Sequence, residues 1–403
     1  MKTTDQQNDL LRLKSTVQTR INELRQELFE ISDYLYRNPE VGYQEHKATQ
    51  KLLDAVRRRG FAITTNLAGM ETAFRATRAG SAEGPHIALM AEYDALPELG
   101  HACGHNLIAI SSLGAALAVG SVMPELGGRI SLIGTPAEEL LLDGGKKRLV
   151  DAGVFEDVYA AMIPHPFNRN HFEEPHYAVN VVEVRFAGKA AHAGGQPHLG
   201  INAHDAVSLT LTGISFLRQQ LRPDARIHWG DLEVSGPSNN IPEKSAINIF
   251  TRAGDDQYAN ELAEKVVNCV KGAAMMTGCH EDVKVKESYR SIKINRALAD
   301  LYRRNWLSLG LEAEESGPPL TASTDVGYVS RVTATILPLF KIVDDKRIAP
   351  HTRSFLEVAG TETAFEAALH VARGMAMTAV DLLANPDASS QIRKEFETMQ
   401  LQK

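Results

Sequence analysis

Apolar residues near the N-terminus recur at helical spacing. Leu24, Leu28 and Leu35 share one face of a helix predicted over residues 21–37, which Pro39 ends. After Gly60 the period changes, and short apolar runs alternate with helical segments. The predicted strands are FAITT, ETAFRATR, HIALMAEYDA, RISLIGT and YAAMIPHP, and the predicted helices cover 107–119 and GKKRLVDAG. This alternation favours a mostly parallel sheet covered by helices.

A different pattern begins near residue 178. The run AVNVVEVRFAG alternates with period two, as a strand with one wet face does. It is followed by a predicted helix (203–221), two strands (229–234 and 246–252), a helix (258–276) and a strand (282–287). The order strand-helix-strand-strand-helix-strand is typical of a ferredoxin-like domain.

The α/β pattern returns after residue 290. Here we predict a helix over 297–309, the strand TATILPLF and a helix over 362–383, with a polar tail after Pro386. The simplest interpretation is a discontinuous α/β domain, built from residues 1–177 and 291–403. A small α+β domain, residues 178–290, is inserted in it.

Composition narrows the function classes. The chain has 403 residues, more than one core normally serves, with 43% hydrophobic and 23% charged content. A net charge of -7 argues against a nucleic-acid partner. We find no signal peptide and no apolar run approaching the roughly twenty residues that span a bilayer. Three cysteines fit a reducing compartment, so we expect a cytoplasmic protein without a membrane partner.

Four clusters could carry chemistry. They are Glu92-Tyr93-Asp94, His101-Ala102-Cys103-Gly104-His105, Glu138-Glu139, and His165 with the distant His351. Each has an ordinary explanation when taken singly, such as a core histidine, a solvated acidic face or a buried thiol. Their position favours a site, because Asp94 and His165 close predicted buried strands and Glu138 lies a few residues beyond another. Ligand sites of open α/β sheets lie at the carboxyl ends of strands.

The residue types in these clusters suit a divalent metal. A mixture of thiolate, imidazole and carboxylate is typical of zinc or manganese sites. Two adjacent glutamates can divide the work, one as a ligand and the other as the base that takes a proton from the attacking water.

The motifs resemble peptidase family M20. The resemblance is carried by MAEYDALPELGHACGHN, TPAEE, the HP at 165, GKAAHAGG and APHT, which occur in the family's order over nearly the whole chain. It is strongest for the amidohydrolase branch, subfamily D, and within it for the aminoacylase-1-like-2 (M20 domain-containing protein 2) subgroup. The resemblance implies a mixed-sheet, zinc-exopeptidase-like domain with an inserted ferredoxin-like lid that often forms a homodimer.

The resemblance also implies roles for individual residues. Two divalent ions, zinc or manganese with cobalt and nickel as alternatives, would be held by Cys103, His105, Glu139, His165 and His351. Glu138 would be the general base. His192 would stabilise the oxyanion, often in the partner subunit. Asn239 and Arg252 would hold a substrate carboxylate, although a salt bridge on the lid sheet explains Arg252 equally well.

The chain departs from the family in two places. Many members have a histidine ligand two residues before the aspartate of the first motif, where this chain has Glu92. The role of Asp94 is therefore open between orienting a ligand and capping a turn. The branch commonly reads HACGHD, whereas this chain has Asn106.

Several functions remain open at this point. The first is hydrolysis of the amide bond of a small N-acyl amino acid, and the second is a dipeptidase that requires a free amino terminus. A cysteine hydrolase with Cys103 as nucleophile and His105 as base is a third hypothesis, which leaves the paired glutamates unexplained. A non-catalytic metal protein is the fourth, and Glu138 argues against it.

Overall fold

The computed structural model describes residues 4–314 and 320–401, so a short stretch of the predicted third segment lies outside it. The chain divides into two units. The first contains the described residues of 1–174, 293–319 and 328–403, and the second contains 175–292 and 320–327. Each unit has its own buried apolar cluster.

The helices and strands follow one another in three stretches of the chain. The first stretch has α1 (Thr4–Arg37), α2 (His46–Arg57), β1 (Ala62–Thr65), β2 (Phe74–Ala79), β3 (Ala82–Ala91), α3 (His105–Val122), β4 (Gly127–Gly134), α4 (Gly145–Asp151), β5 (Ala160–Met162) and β6 (His165–Phe167). The second has β7 (Ala178–Ala187), β8 (Ala191–His192), α5 (Ala203–Leu217), β9 (Arg226–Val234), β10 (Asn240–Ile241), β11 (Lys244–Ala253), α6 (Asp256–Thr277) and β12 (His280–Tyr289). The last has α7 (Arg296–Ser308), α8 (Val326–Val329), β13 (Ala334–Ile336), β14 (Leu339–Lys341), α9 (Arg353–Ala359), α10 (Glu362–Ala384) and α11 (Pro386–Leu401).

A six-stranded mixed sheet forms the centre of the first unit. Its order is β1-β2-β4-β3-β5-β13. Strands β4, β3, β5 and β13 are parallel, while β1 and β2 join the edge antiparallel. The prediction of an α/β domain is confirmed, with these two antiparallel strands making the sheet mixed. Because β3, β4 and β5 run in the same direction, the residues that follow them emerge at one edge of the sheet.

Helices α1, α3 and α10 pack on one another beside this sheet, α1 through one buried apolar stripe. Helix α3 is buried on nearly every side, which explains why it lacks a polar face. Residues His105–Glu125 and Glu362–Ala384 are long and apolar enough to cross a membrane by length and composition. The first segment is longer than any apolar run that we recognised in the sequence. Both segments are mostly buried in the core, and that burial accounts for their composition.

The second unit contains a four-stranded antiparallel sheet in the order β12-β7-β11-β9. Helices α5 and α6 pack on it through an apolar cluster that includes Val184, Ile249 and Val266. The strand and helix order is the predicted ferredoxin-like one. In a separate two-stranded ribbon, β8, which is part of the motif GKAAHAGG, pairs with β10.

One local prediction is wrong. Residues after Pro386 were expected to be a polar tail, but they form helix α11, in which Ile392 and Phe396 are buried. The pattern is weak because these two residues are four apart in an otherwise polar segment. Packing against the rest of the unit stabilises the helix.

Candidate metal centre

The predicted clusters gather where three parallel strands end. Asp94 lies just after β3, Glu138 and Glu139 lie just after β4, and His165 begins β6, shortly after β5. Cys103 directly precedes the glycine that caps α3. The parallel direction of β3, β4 and β5 therefore positions carboxylates, a thiol and imidazoles at one edge of the sheet.

The five predicted ligands lie in overlapping groups. Their ligand atoms form three overlapping groups, each within 4.8 Å: Cys103, His105 and His165; Cys103, Glu139 and His351; His105, Glu138 and Glu139. Cys103 Sγ lies 3.4 Å from His165 Nε2. His351 Nε2 lies 3.3 Å from Glu139 Oε1. The five residues thus form one connected cluster in the first unit.

Asp94 fixes the orientation of this cluster. Its Oδ1 lies 3.0 Å from Nδ1 of His105, and its Oδ2 accepts a hydrogen bond of 2.9 Å from the backbone N–H of Glu139. Burial opposes ionisation of Asp94, but the neighbouring His105 outweighs it and lowers the pKa of the carboxyl. Of the two roles left open for Asp94, the contacts favour that of orienting the ligands.

The buried His105 and the half-buried His165 both present Nε2 to the cluster. Nδ1 of His105 donates to Asp94, and Nδ1 of His165 lies 2.9 Å from the carbonyl oxygen of Pro166, to which it donates. Burial, reinforced by the nearby His105, lowers the pKa of His165 to about 4. His165 is therefore neutral near pH 7, with its Nε2 lone pair available to a metal ion.

Unpartnered polar atoms show that a cation fits here. Among the described residues, His105 Nε2 is buried without a hydrogen-bond partner, and Glu139 Oε1, which faces His351, lies 3.8 Å from it. Oε2 of Glu92 and of Glu138 lie 3.6 Å and 4.0 Å from the same imidazole nitrogen. Buried carboxylates converging on one imidazole nitrogen are unfavourable unless a positive charge joins them. The nitrogen, sulfur and oxygen donors suit zinc or manganese.

The geometry does not favour a cysteine nucleophile. Burial and the nearby Glu139 raise the pKa of the Cys103 thiol well above its ordinary value. A thiol that holds its proton is a weak nucleophile. The sequence-based hypothesis of a cysteine hydrolase therefore lacks the activation that it requires.

Unusual backbone conformations allow the close approach of these side chains. Gly104 has φ +76°, and a Cβ there would lie 2.5 Å from Cγ of Pro166. Ala137 and His351 also have positive φ, 60° and 66°. The backbone N–H of His351 donates to the carbonyl of Ala102 at 2.9 Å. This hydrogen bond ties the distant APHT segment directly to HACGHN.

The predicted lid residues lie in the second unit. His192 is exposed in β8, and its Nδ1 accepts hydrogen bonds of 3.2 Å and 3.0 Å from the backbone N–H groups of Gly194 and Gly195. Because Nδ1 is an acceptor, the neutral ring carries its proton on Nε2. Ala193 N–H donates to the carbonyl of Asn239, which places Asn239 beside this ribbon.

Arg252 lies in β11 of the same unit. Its guanidinium donates to Ser323 Oγ at 3.1 Å and to His228 Nε2 at 3.4 Å. Burial lowers the pKa of Arg252. Within the described part of the chain it forms no ion pair with a carboxylate, so the lid salt bridge considered from the sequence is not found there. The guanidinium has neutral protein partners and could take an anionic one.

Sequence reasoning missed two buried charged residues next to the cluster. Lys146 Nζ lies 2.6 Å from Oε1 of Glu92, and Oε1 of Glu45 accepts from the N–H of Ala137 at 2.8 Å. Lys146 follows TPAEE in GGKKR, but nothing in that run separates it from Lys147. Glu45 lies in the stretch after the predicted helix over 21–37, where an acidic residue is ordinary. For both residues, only the burial of the charged side chain in the structure indicates a special role.

Comparisons with known proteins extend over most of the chain. The sequence matches the family described as peptidase family M20/M25/M40 over residues 88–376, a range that contains every residue of the predicted site. It is 36% identical to the Xaa-Arg dipeptidase of Mus musculus, covering 96% of this chain and 92% of that protein. It is 30% identical to a p-aminobenzoyl-glutamate hydrolase subunit of Escherichia coli (strain K12), covering 77% of this chain and 67% of that protein. A solved Bacillus subtilis structure, described as a dinuclear metal binding peptidase from the M20 family, has a similar fold, with a TM-score of 0.65, 19% identity and coverage of 87% and 98%.

Proposed function

The chain belongs to peptidase family M20, and on this premise we propose that it hydrolyses the amide bond of a small N-acyl amino acid or dipeptide-like substrate in a metal-dependent reaction. The observation that supports the proposal most is the convergence of the five candidate ligands beside Glu138. A buried cluster of this composition has no structural need for so many converging donor atoms.

Cys103, His105, Glu139, His165 and His351 would hold two divalent ions in this proposal. Zinc or manganese suits their mixed donors best, with cobalt or nickel as alternatives. Bound divalent ions supply Lewis-acid polarisation of the amide carbonyl and make water more acidic. Asp94 keeps His105 and Glu139 in the orientation that binding requires.

Glu138 is the proposed general base. Its Oε2 lies 4.0 Å from His105 Nε2, so its carboxylate reaches the centre of the cluster. It takes a proton from the attacking water and later delivers it to the leaving amine nitrogen, which restores the carboxylate. His192 donates its Nε2–H to the developing oxyanion.

Arg252 and Asn239 would hold the substrate carboxylate. The guanidinium has neutral partners in its own unit and is partly desolvated, which strengthens its attraction for an anion.

We propose that residues 178–290 act as a lid and dimerisation domain of a cytoplasmic homodimer. Exposed apolar side chains on edge strand β9, Trp229, Leu232 and Val234, support this interface.

A dipeptide with a C-terminal arginine is a second candidate substrate. It is favoured by the identity of 36% to the Xaa-Arg dipeptidase, which extends over nearly the whole chain. This candidate agrees with the resemblance to the aminoacylase-1-like-2 subgroup of the amidohydrolase branch, in which we place the chain. β-Alanyl dipeptides with a free amino terminus remain a related alternative.

The decisive experiment is a substrate screen of metal-loaded protein with a variant of the base. N-Acyl amino acids, aryl-acyl glutamates, β-alanyl dipeptides and Xaa-Arg dipeptides are tested before and after treatment with a chelator. Glu138→Gln should lower kcat by about 10²–10⁴-fold with unchanged metal content. Exposed Glu83 provides the control, Glu83→Gln, which should behave as the parent. Turnover that survives chelation, or survives Glu138→Gln, contradicts the proposal.

A further inference from the structure

A fully buried ion pair adjoins the candidate metal centre. The side chain of Lys146 is 0% exposed and that of Glu92 is 2% exposed, with 2.6 Å between Nζ and Oε1. Removing two such charges from water is costly, and the attraction between them often does no more than offset that cost. A buried ion pair is therefore weak evidence for a purely stabilising role, and its effect on the neighbouring residues has to be considered.

The second oxygen of Glu92 reaches into the metal centre. Oε2 lies 3.6 Å from His105 Nε2, closer than Oε2 of Glu138 at 4.0 Å or Oε1 of Glu139 at 3.8 Å. Three carboxylates therefore converge on one candidate ligand nitrogen. By distance alone, Glu92 could coordinate a divalent ion as well as Glu138 or Glu139 could.

A third carboxylate ligand would interfere with the reaction. A catalytic metal site needs an open position for water and substrate, and every further protein ligand fills one. Lys146 provides the competing cation for Glu92. Helix α4, which carries Lys146, is packed tightly at its start, because a Cβ on Gly145 would lie 2.0 Å from the carbonyl oxygen of Pro136. The backbone next to Lys146 is therefore held close to Pro136, and the ammonium group, which is 0% exposed, lies enclosed beside Glu92.

We propose that Lys146 is a positioning residue of the metal centre, which holds Glu92 in an ion pair and so keeps this carboxylate out of the ligand set. The ions are then left to the five predicted ligands. The inference rests on the proposed function, since it assumes that divalent ions bind at this cluster.

Removal of Lys146 should change metal affinity in the opposite direction to the usual one. Loss of a charged residue beside a metal site commonly weakens metal binding. Loss of Lys146 should tighten it, because the released Glu92 carboxylate is best compensated by the ion and a repelling positive charge disappears. The affinity should rise by about tenfold, the lower end of the range for residues that contact ligands.

The test measures metal affinity directly. Chelator-treated, full-length protein is titrated with zinc or manganese against a chromophoric competitor, for the parent, Lys146→Met, Lys146→Gln and the double variant Glu92→Met/Lys146→Met. The single variants should bind the metal about tenfold more tightly. The double variant should return to the parent's Kd, because it contains neither the free carboxylate nor the ammonium group. If Lys146→Met does not fold, Lys146→Gln carries the test, since its neutral amide fills a similar space but neither neutralises the Glu92 carboxylate nor repels the ion.

Lys147 offers a matched control on the same helix. Its side chain is 44% exposed and pairs with Asp151 at 2.6 Å, so Lys147→Gln should leave metal affinity unchanged. The proposal is overturned if the single variants keep the parent's Kd and lose only thermal stability, which is what a structural pair predicts. It is also overturned if the double variant loses affinity, since Glu92 would then be a ligand. A parent protein that binds no divalent ion contradicts the proposed function itself.

Discussion

At the scale of single residues, the atoms without partners define the site. Most polar atoms that are buried during folding find a hydrogen-bond partner. His105 Nε2 does not, and Glu139 Oε1 lies 3.3 Å from the exposed imidazole of His351, while Nδ1 of His105 and the backbone of Glu139 are both bonded to Asp94. The two converging atoms are thus held by the partnered atoms of their own residues. This arrangement is expected where a ligand supplies the missing contact.

Cys103 provides a direct test of the ligand set. Cys103→Ala removes the only sulfur donor of the five-residue cluster, so metal content by elemental analysis should fall by about tenfold or more at limiting metal. Cys279, another buried cysteine, lies in the second unit, and Cys279→Ala serves as the control. Equal metal content in the two variants would count against the ligand role of Cys103.

Glu45 should leave a signature in the pH dependence of stability. Burial, with a contribution from Asp94, raises the pKa of Glu45 from 4.5 to about 7. The folded state then binds more protons than the unfolded state between these values. The contribution of this group to stability is therefore complete below pH 4.5 and is lost as the pH rises to about 7.

The measurement compares unfolding by denaturant for the metal-free parent and Glu45→Gln. The variant lacks the titrating group, so its free energy of unfolding should decline less between pH 4.5 and pH 7 than the parent's. The exposed Glu83→Gln again serves as the control, because it also removes one carboxylate but from a solvated position. Parallel curves for the parent and Glu45→Gln would disprove the shifted pKa.

At the scale of elements, the ends of strands and one short ribbon present the functional groups. The ribbon of β8 and β10 holds His192 opposite Asn240, next to Asn239. Strand β11 carries Arg252 in register with Arg226 of β9. These elements allow the roles of the lid residues to be separated from those of the metal ligands, because they belong to the other unit.

His192→Ala should lower kcat without changing metal content. The loss removes one hydrogen bond to the oxyanion, for which about 10²–10³-fold in kcat is usual. His198, an exposed histidine a few residues away, gives the control His198→Ala. A normal rate for His192→Ala would show that this imidazole does not contact the reacting carbonyl.

Arg252→Ala should raise KM for substrates that carry a carboxylate. A charged hydrogen bond of this kind contributes roughly 1.5–3 kcal/mol, which corresponds to an increase of about 10–100-fold. Arg226→Ala removes the neighbouring exposed guanidinium and provides the control. A comparable increase for amides without a carboxylate argues against a carboxylate clamp.

The sequence was sufficient to predict a strand or a site residue where a single local pattern determines it. The buried runs ending before Asp94 and Glu138 were sufficient to predict strands and a site at their ends. The pairing of Lys146 with Glu92 could not be predicted, because it depends on how a helix packs on the strand end.

The contacts of Asn106 could not be predicted either. Asn106 donates to Ser32 Oγ and to the carbonyl of Ala359, which are far from it in the sequence. Those contacts account for an amide at this position, since a carboxylate cannot donate to a carbonyl.

At the scale of the whole molecule, the proposed homodimer depends on the second unit. Strand β9 is an edge strand, and its exposed apolar residues leave it open to association. Leu232→Glu places a charge on this strand and should shift the protein towards the monomer, by at least about tenfold in the dimer Kd. Analytical ultracentrifugation measures the change. Leu11→Glu, at an exposed position of α1, is the control, and equal behaviour of the two variants would place the interface elsewhere.

The hydrogen bond between His351 and Ala102 has a consequence for biosynthesis. A growing polypeptide leaves the ribosome with Cys103 and His105 long before residue 351 has been translated. The nascent chain can complete its early strands, but the last imidazole arrives only when synthesis is almost finished. On the proposed ligand set the centre is completed only late in maturation, and a product terminated before the APHT segment would lack His351 however well its N-terminal part folded.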